Sequence, residues 1–118
     1  MSNLLIEISK QYFDTFSNKN LSGLEKMFSL DVSLRDWEIE AKGIKEVLKA
    51  NKNIFENLEN IQVNPLKIYN DGNTVVAELD IDINNGQESL LVVDVIVFDS
   101  ENKILYIRAY KGWTDYTK

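Results

Sequence analysis

The sequence predicts an α+β fold in which three N-terminal helices pack on a curved antiparallel sheet. Two observations carry this. Up to residue 58 the apolar residues recur at the three- and four-residue spacing of helices, with one short strand among them, and from residue 61 they recur every second residue. The period-two runs are separated by Asp71-Gly72, by Asn85-Gly86 and by the polar stretch 99–102, which mark hairpins.

The helices come first. Over residues 3–17, Leu5, Ile8, Tyr12 and Phe16 form one stripe with Phe13 beside it, and Ser2 or Asn3 is placed to cap it. Asn18-Lys19-Asn20 breaks this helix. Asn20 caps a second, shorter one whose stripe is Leu21, Leu24 and Phe28. Residues 32–39 read as a short strand with Val32, Leu34 and Asp36 on one face. Gly43 precedes a third helix over 44–58. Its stripe is Ile44, Val47, Leu48, Phe55 and Leu58, and its other face, including Lys45, Lys49 and Lys52, is solvated.

The strands follow. Residues 61–69 carry the only proline, Pro65, which predicts an edge strand or a bulge. Residues 74–83 turn Val75, Ala77, Leu79, Ile81 and Ile83 inward. Glu78, Asp80 and Asp82 face outward as a solvated surface whose spacing does not match a calcium loop. Residues 90–111 form a closing hairpin that is apolar on both faces: Leu90, Val92, Ile96 and Phe98 on one, Leu91, Val93, Val95 and Val97 on the other. Three short helices cover only one face, so the second face is expected to meet another copy of the chain in a homodimer. Tyr110, Trp113 and Tyr116 either pack at that interface or close a cavity.

Composition narrows the function. At 118 residues the chain is expected to be one domain, 1–118. A formal charge of −6 argues against nucleic acid and against an anionic membrane surface as partners. No histidine and no cysteine are present, which removes Ser-His-Asp chemistry, thiol catalysis and metal sites built on those ligands. No Gly-rich phosphate loop occurs. Acid–base work falls to Asp, Glu, Tyr or Lys, with no cofactor. The first residues lack the basic region of a signal peptide and no apolar run reaches membrane-spanning length, so a cytoplasmic protein is expected.

One carboxylate is out of place. Asp94 sits between Val93 and Val95, where burying a charge is costly unless something compensates. A turn that pairs 98 with 103 sets Asp94 opposite Ile107. A one-residue shift sets it opposite Arg108, which would make a structural ion pair. The other reading is chemical.

Two segments carry a resemblance that covers nearly the whole chain. QYFDTFSNKNLSGLEKMFSLDVSLRDWE, residues 11–38, resembles the opening of the nuclear transport factor 2-like superfamily, and VVDVIVFDSENKILYIRAYKG, residues 92–112, resembles its closing hairpin. The resemblance implies a cone-shaped, cystatin-like fold with a small-molecule pocket inside, as in ketosteroid isomerases and SnoaL-like polyketide cyclases. Laid on the isomerase pattern, the oxyanion-hole tyrosine falls on Tyr12, the general-base aspartate on Asp36 and the protonated oxyanion-hole aspartate on Asp94. It also implies a pocket lined by Trp37, Val92, Ile96, Ile107, Ala109 and Lys111, with Phe16 and Phe55 from the helices. Two positions depart from the isomerase pattern. Trp37 stands where a proline is usual, and Lys111 where an apolar or aromatic residue is usual. A lysine there favours an ionised carboxylate and suits an acidic ligand better than a steroid.

The implied activity is that of a cofactor-free isomerase, cyclase or dehydratase acting by proton abstraction next to the carbonyl of a small, mostly apolar compound. The alternatives are a non-catalytic dimer that binds a small hydrophobic or weakly acidic ligand, anchored by Lys111, and a structural dimerisation domain with a vestigial cavity.

Overall fold

The helices form where the apolar stripes fall. A computed structural model describes residues 3–113. Its elements run α1 (Leu4–Ser17), α2 (Leu21–Met27), β1 (Phe28–Arg35), β2 (Glu40–Lys42), α3 (Ile44–Asn57), β3 (Ile61–Asp71), β4 (Thr74–Ile83), β5 (Glu88–Phe98) and β6 (Ile104–Lys111). The α1 stripe buries Tyr12 and Phe13, and the buried Ser9 is satisfied by donating to the Leu5 carbonyl at 2.8 Å. Of the two capping candidates for α1, Asn3 makes no side-chain cap bond and Ser2 lies outside the described residues. Asn20 does cap α2, its Oδ1 accepting from the Gly23 N–H at 3.0 Å. Gly23 is required there, because a Cβ would meet Thr15 Cγ2 at 2.8 Å.

Lys19, between the two helices, adopts the left-handed conformation at φ 55°. Its ammonium donates to the carbonyls of Phe55 at 2.9 Å, of Glu59 at 3.1 Å, and of Leu58. These oxygens are at or just beyond the C-terminus of α3, which has no glycine to finish it. A cation there satisfies orphan carbonyls and opposes the negative end of the helix dipole. Ser17 ties α1 to the sheet in the same way, accepting from the Val63 N–H at 2.9 Å.

The six strands form one curved sheet in the order β2-β1-β6-β5-β4-β3. The three-helix α+β layout is as expected, with one correction: the sheet is mixed. β1 runs parallel to β6, with Leu34 beside Ile107 and Arg35 beside Arg108. That pairing also extends β1 back to Phe28, earlier than the 32–39 strand expected from the sequence. The carboxylate of Asp36 then closes a turn, Oδ1 accepting from the N–H groups of Glu38 at 2.8 Å and Ile39 at 2.6 Å. Asp36 therefore stands just past the strand rather than on its face. Pro65 behaves as its chemistry dictates: β3 is an edge strand, with a bulge between Pro65 and Lys67.

The β5–β6 register also differs from expectation. Asp99 Oδ1 accepts from the N–H groups of Glu101 at 2.8 Å and Lys103 at 2.9 Å, and the pairing steps from Phe98–Ile104 to Val97–Tyr106. Pairing Phe98 with Ile104 moves the ladder by one position and the irregularity at Leu105 by another, so Asp94 pairs with Ala109, not Ile107. Inward parity survives. Arg108 pairs with Val95 on the outer face and lies over the Tyr106 ring at 5.1 Å. The Asp94–Arg108 ion pair is thereby ruled out.

The core lies between the helices and the concave face, where Val75, Ala77 and Leu79 of β4 and Ile96 and Phe98 of β5 are sealed. No helix among the described residues is long and apolar enough to cross a membrane. The Lys19 clamp sets an expectation for stability: Lys19→Met should lower the unfolding free energy by about 1–2 kcal/mol in urea denaturation. An unchanged midpoint would show that the α3 carbonyls are equally well served by water.

Candidate functional site

Helix and sheet do not meet everywhere. Between them lies a cavity of about 350 Å³, within the range of small-molecule sites. Its hollow has a local cause in the sheet. Asp94 on β5 is flanked by Ala77 on β4 and Ala109 on β6, so the two side chains at its level are methyl groups. Aliphatic residues such as Leu79, Ile81 and Val92 line the sheet side. Phe13 and Phe16 line the α1 side, and the turn after β1 forms one rim.

Three titratable groups sought in the sequence line this one cavity: Tyr12, Asp36 and Asp94. The Tyr12 ring packs among Phe13, Phe16 and Phe28, with centroids 5.6, 6.1 and 6.3 Å away. These contacts fix the direction of its hydroxyl, which has no hydrogen-bond partner among the described residues. Burial raises its pKa far above the usual phenol range, and the neighbouring Asp94 charge adds to this, so it is a permanent donor.

Asp94 is 8% exposed. Desolvation first, and the negative charge of Asp36 second, push its carboxyl up to about 7. No cation among the described residues pairs with it. A carboxyl in this state is a hydrogen-bond donor under mildly acidic conditions and gives up its proton as the pH passes about 7. Asp36 differs: its Oδ1 is held by the turn, while Oδ2 makes no hydrogen bond among the described residues.

Trp37, Val92, Ile107, Ala109 and Phe16 also line the cavity, and Trp37, 41% exposed, stands at its mouth. Three further residues named from the sequence do not line it. Ile96 is sealed in the core, and Phe55 packs edge-on behind Phe16 with centroids 4.9 Å apart. Lys111 lies at the exposed end of β6 with its ammonium 6.0 Å from the Trp37 ring centre, beside a shallow outer cleft. Tyr110 and Trp113 are exposed and away from the lining, and Tyr116 is outside the described residues.

One lining residue was overlooked in the sequence. Asn51 occupies the α3 stripe between Val47 and Phe55, is 2% exposed, and its Nδ2 has no hydrogen-bond partner among the described residues. The signal was an amide in the middle of an apolar helical stripe, a position where a hydrophobic residue is the cheaper choice.

Comparison with known proteins agrees with this architecture. The family model of the SnoaL-like domain matches residues 9–107. The chain belongs to the SnoaL-like domain family, within the nuclear transport factor 2-like fold. No curated protein matches it. Among solved structures, a candidate SnoaL-like polyketide cyclase from Shewanella denitrificans is similar with a TM-score of 0.83 at 13% identity, over 94% of this chain and 92% of that one. A candidate ketosteroid isomerase from Kribbella flavida has a TM-score of 0.79 at 15% identity, over 95% of this chain and 80% of the other. An LEH-like epoxide hydrolase of M. tuberculosis has a TM-score of 0.78 at 15% identity, over 92% of this chain and 82% of the other. At such identities the likeness establishes the fold alone.

The state of Asp94 has a measurable consequence. A carboxyl whose pKa is raised on folding stabilises the native state below its unfolded value, and that stability is lost as pH rises through the folded value. The window here runs from about 4 to about 7. Asp94→Asn should remove this term. Its stability relative to the wild type should rise by about 4 kcal/mol between pH 3 and pH 8, read by denaturant titration at each pH. A difference that does not vary with pH would mean that Asp94 titrates as an ordinary carboxylate.

Proposed function

We propose that this protein is a cofactor-free isomerase, cyclase or dehydratase that removes a proton next to the carbonyl of a small, mostly apolar compound. The observation that carries this reading is the pairing of two unbonded donors, the Tyr12 hydroxyl and the Asp94 carboxyl, with an ionisable Asp36 on the rim of the same cavity. Asp36 Oδ2 takes the α-proton, and the electron pair of the breaking C–H bond moves onto the carbonyl oxygen. Tyr12 and protonated Asp94 donate hydrogen bonds to that oxygen as its charge develops. The enolate then has three outcomes. It is reprotonated elsewhere by Asp36, it adds to a second carbonyl, or it expels a β-hydroxyl as water, with Asp36 returning the proton.

The test is α-hydrogen exchange of model ketones in deuterated water, followed by NMR. Asp36→Asn should slow exchange by about 10³-fold and Tyr12→Phe by about 10²-fold. The wild-type rate should decline above about pH 7, where Asp94 ceases to donate. No exchange above the solvent background across a broad ketone panel removes the enzymatic reading. The second reading, a non-catalytic pocket for a small hydrophobic or weakly acidic ligand, draws support from two features. One oxygen of Asp36 is committed to its turn, and the Lys111 ammonium stands beside Trp37 at the mouth.

The dimer is part of the same proposal. The outer face carries Leu91, Val93, Val95 and Val97 beside Tyr106, Arg108 and Tyr110, a mixture of aliphatic, tyrosine and arginine side chains suited to association. Sedimentation at micromolar concentration should give twice the 13.6 kDa chain mass, and Val95→Glu should return it to the single-chain value. A wild type that sediments as a single chain excludes this interface.

A further inference from the structure

The buried Asn51 has an amide nitrogen with no hydrogen-bond partner among the described residues. It sits on α3, on a different wall from Tyr12 on α1 and Asp94 on β5. Its neighbours along the helix face, Val47 and Phe55, are buried apolar residues that complete the packing of α3. A buried amide N–H without a partner is costly, whereas an aliphatic residue of the same size would be free of that cost. Asn51 is among the residues that line the cavity, and no acceptor among the described residues lies within hydrogen-bond distance of its Nδ2.

We propose that Asn51 is a ligand-binding residue whose Nδ2–H donates to an acceptor oxygen on the bound molecule, at a point distinct from the one held by Tyr12 and Asp94. The ligand class follows. It is a small compound with an apolar body and two oxygen functions, one seated between Tyr12 and Asp94 and the other, a ketone, ether or hydroxyl, under α3. A mono-oxygenated molecule leaves the amide unsatisfied and binds more weakly. A carboxylate is a poor fit for this second point, because only a neutral donor meets it and the walls around it are apolar. The second point rests on the reading of this cavity as a small-molecule pocket, and it holds whether or not the pocket turns its ligand over.

The experiment uses 2-naphthol, an aromatic stand-in for an enol, and its 5-, 6- and 7-acetyl derivatives, with binding measured by calorimetry. At least one acetyl isomer should bind the wild type about tenfold tighter than 2-naphthol, and Asn51→Leu should reduce that advantage to about threefold or less. Without ligand, Asn51→Leu should melt at a higher temperature than the wild type, since the orphan amide is gone. Asn51→Ala should lose the same advantage and serves if the leucine variant does not fold. The proposal is overturned if no acetyl isomer outbinds 2-naphthol, if no probe binds, if the advantage survives in the variants, or if Asn51→Leu melts lower. The reading of Tyr12 and Asp94 fails separately: in that case Tyr12→Phe leaves 2-naphthol binding unchanged while the dependence on Asn51 persists.

Discussion

The parallel pairing of β1 with β6 is the constraint on which the rest of the structure depends. It joins the first third of the chain to its last strand, with Leu34 beside Ile107, and every other strand pairing follows by antiparallel neighbours. Because β1 ends there, the turn that begins at Asp36 opens beside the end of β6 and over the level of Ala109 and Asp94. Two carboxyl groups far apart in the chain thus come close enough for the charge of one to raise the pKa of the other. The coupling has a direction. Asp36 at the rim is half-buried and held by backbone donors, while Asp94 below it is buried and has no hydrogen bond among the described residues, so it is Asp94 whose proton is held more tightly.

Local periodicity made most of the elements legible. The helical stripes, the cap at Asn20, the edge character of the proline strand and the inward parity of Asp94 all follow from rules that act within a few residues. The parts that were not legible are non-local. Phe28–Asp31 alternates apolar and polar like the rest of β1, but Phe28 also completes the stripe of α2 and Leu30 is 77% exposed, so where the helix gives way to the strand depends on the partner strand. The β5–β6 register was displaced by one position at the turn, where Phe98 pairs with Ile104, and by a second at the bulge of Leu105, which the sequence does not mark with glycine or proline. Parity nevertheless carried Asp94 to the concave face, because the displacement was by two positions.

The candidate site shows the same division. Asp94 stood out as a charge on an apolar strand, and Tyr12 and Asp36 were singled out by the resemblance to the isomerase pattern. Asn51, a polar group on an apolar helical stripe, escaped notice because it carries no charge and neither segment of the resemblance covers it. Lys111 erred in the other direction. Its parity pointed inward, but at the end of a strand the side chain is free to leave the face, and it lies over Trp37 instead. The hollow itself depends on residues with almost no chemistry, the alanines on either side of Asp94. Enlarging either would fill the space that gives the acid its setting.

The borders of the sheet carry a consequence of their own. One edge strand, β2, is three residues long, with charged Glu40 and Lys42 exposed around Ala41, and the other, β3, is interrupted by Pro65 and its bulge. Neither border offers an unbroken row of amide and carbonyl groups to an incoming strand. Open-ended stacking of chains, edge to edge, is therefore blocked at both sides. Whatever association the apolar outer surface makes is restricted to face-to-face contact, which uses up the surface that drives it and stops at a finite size.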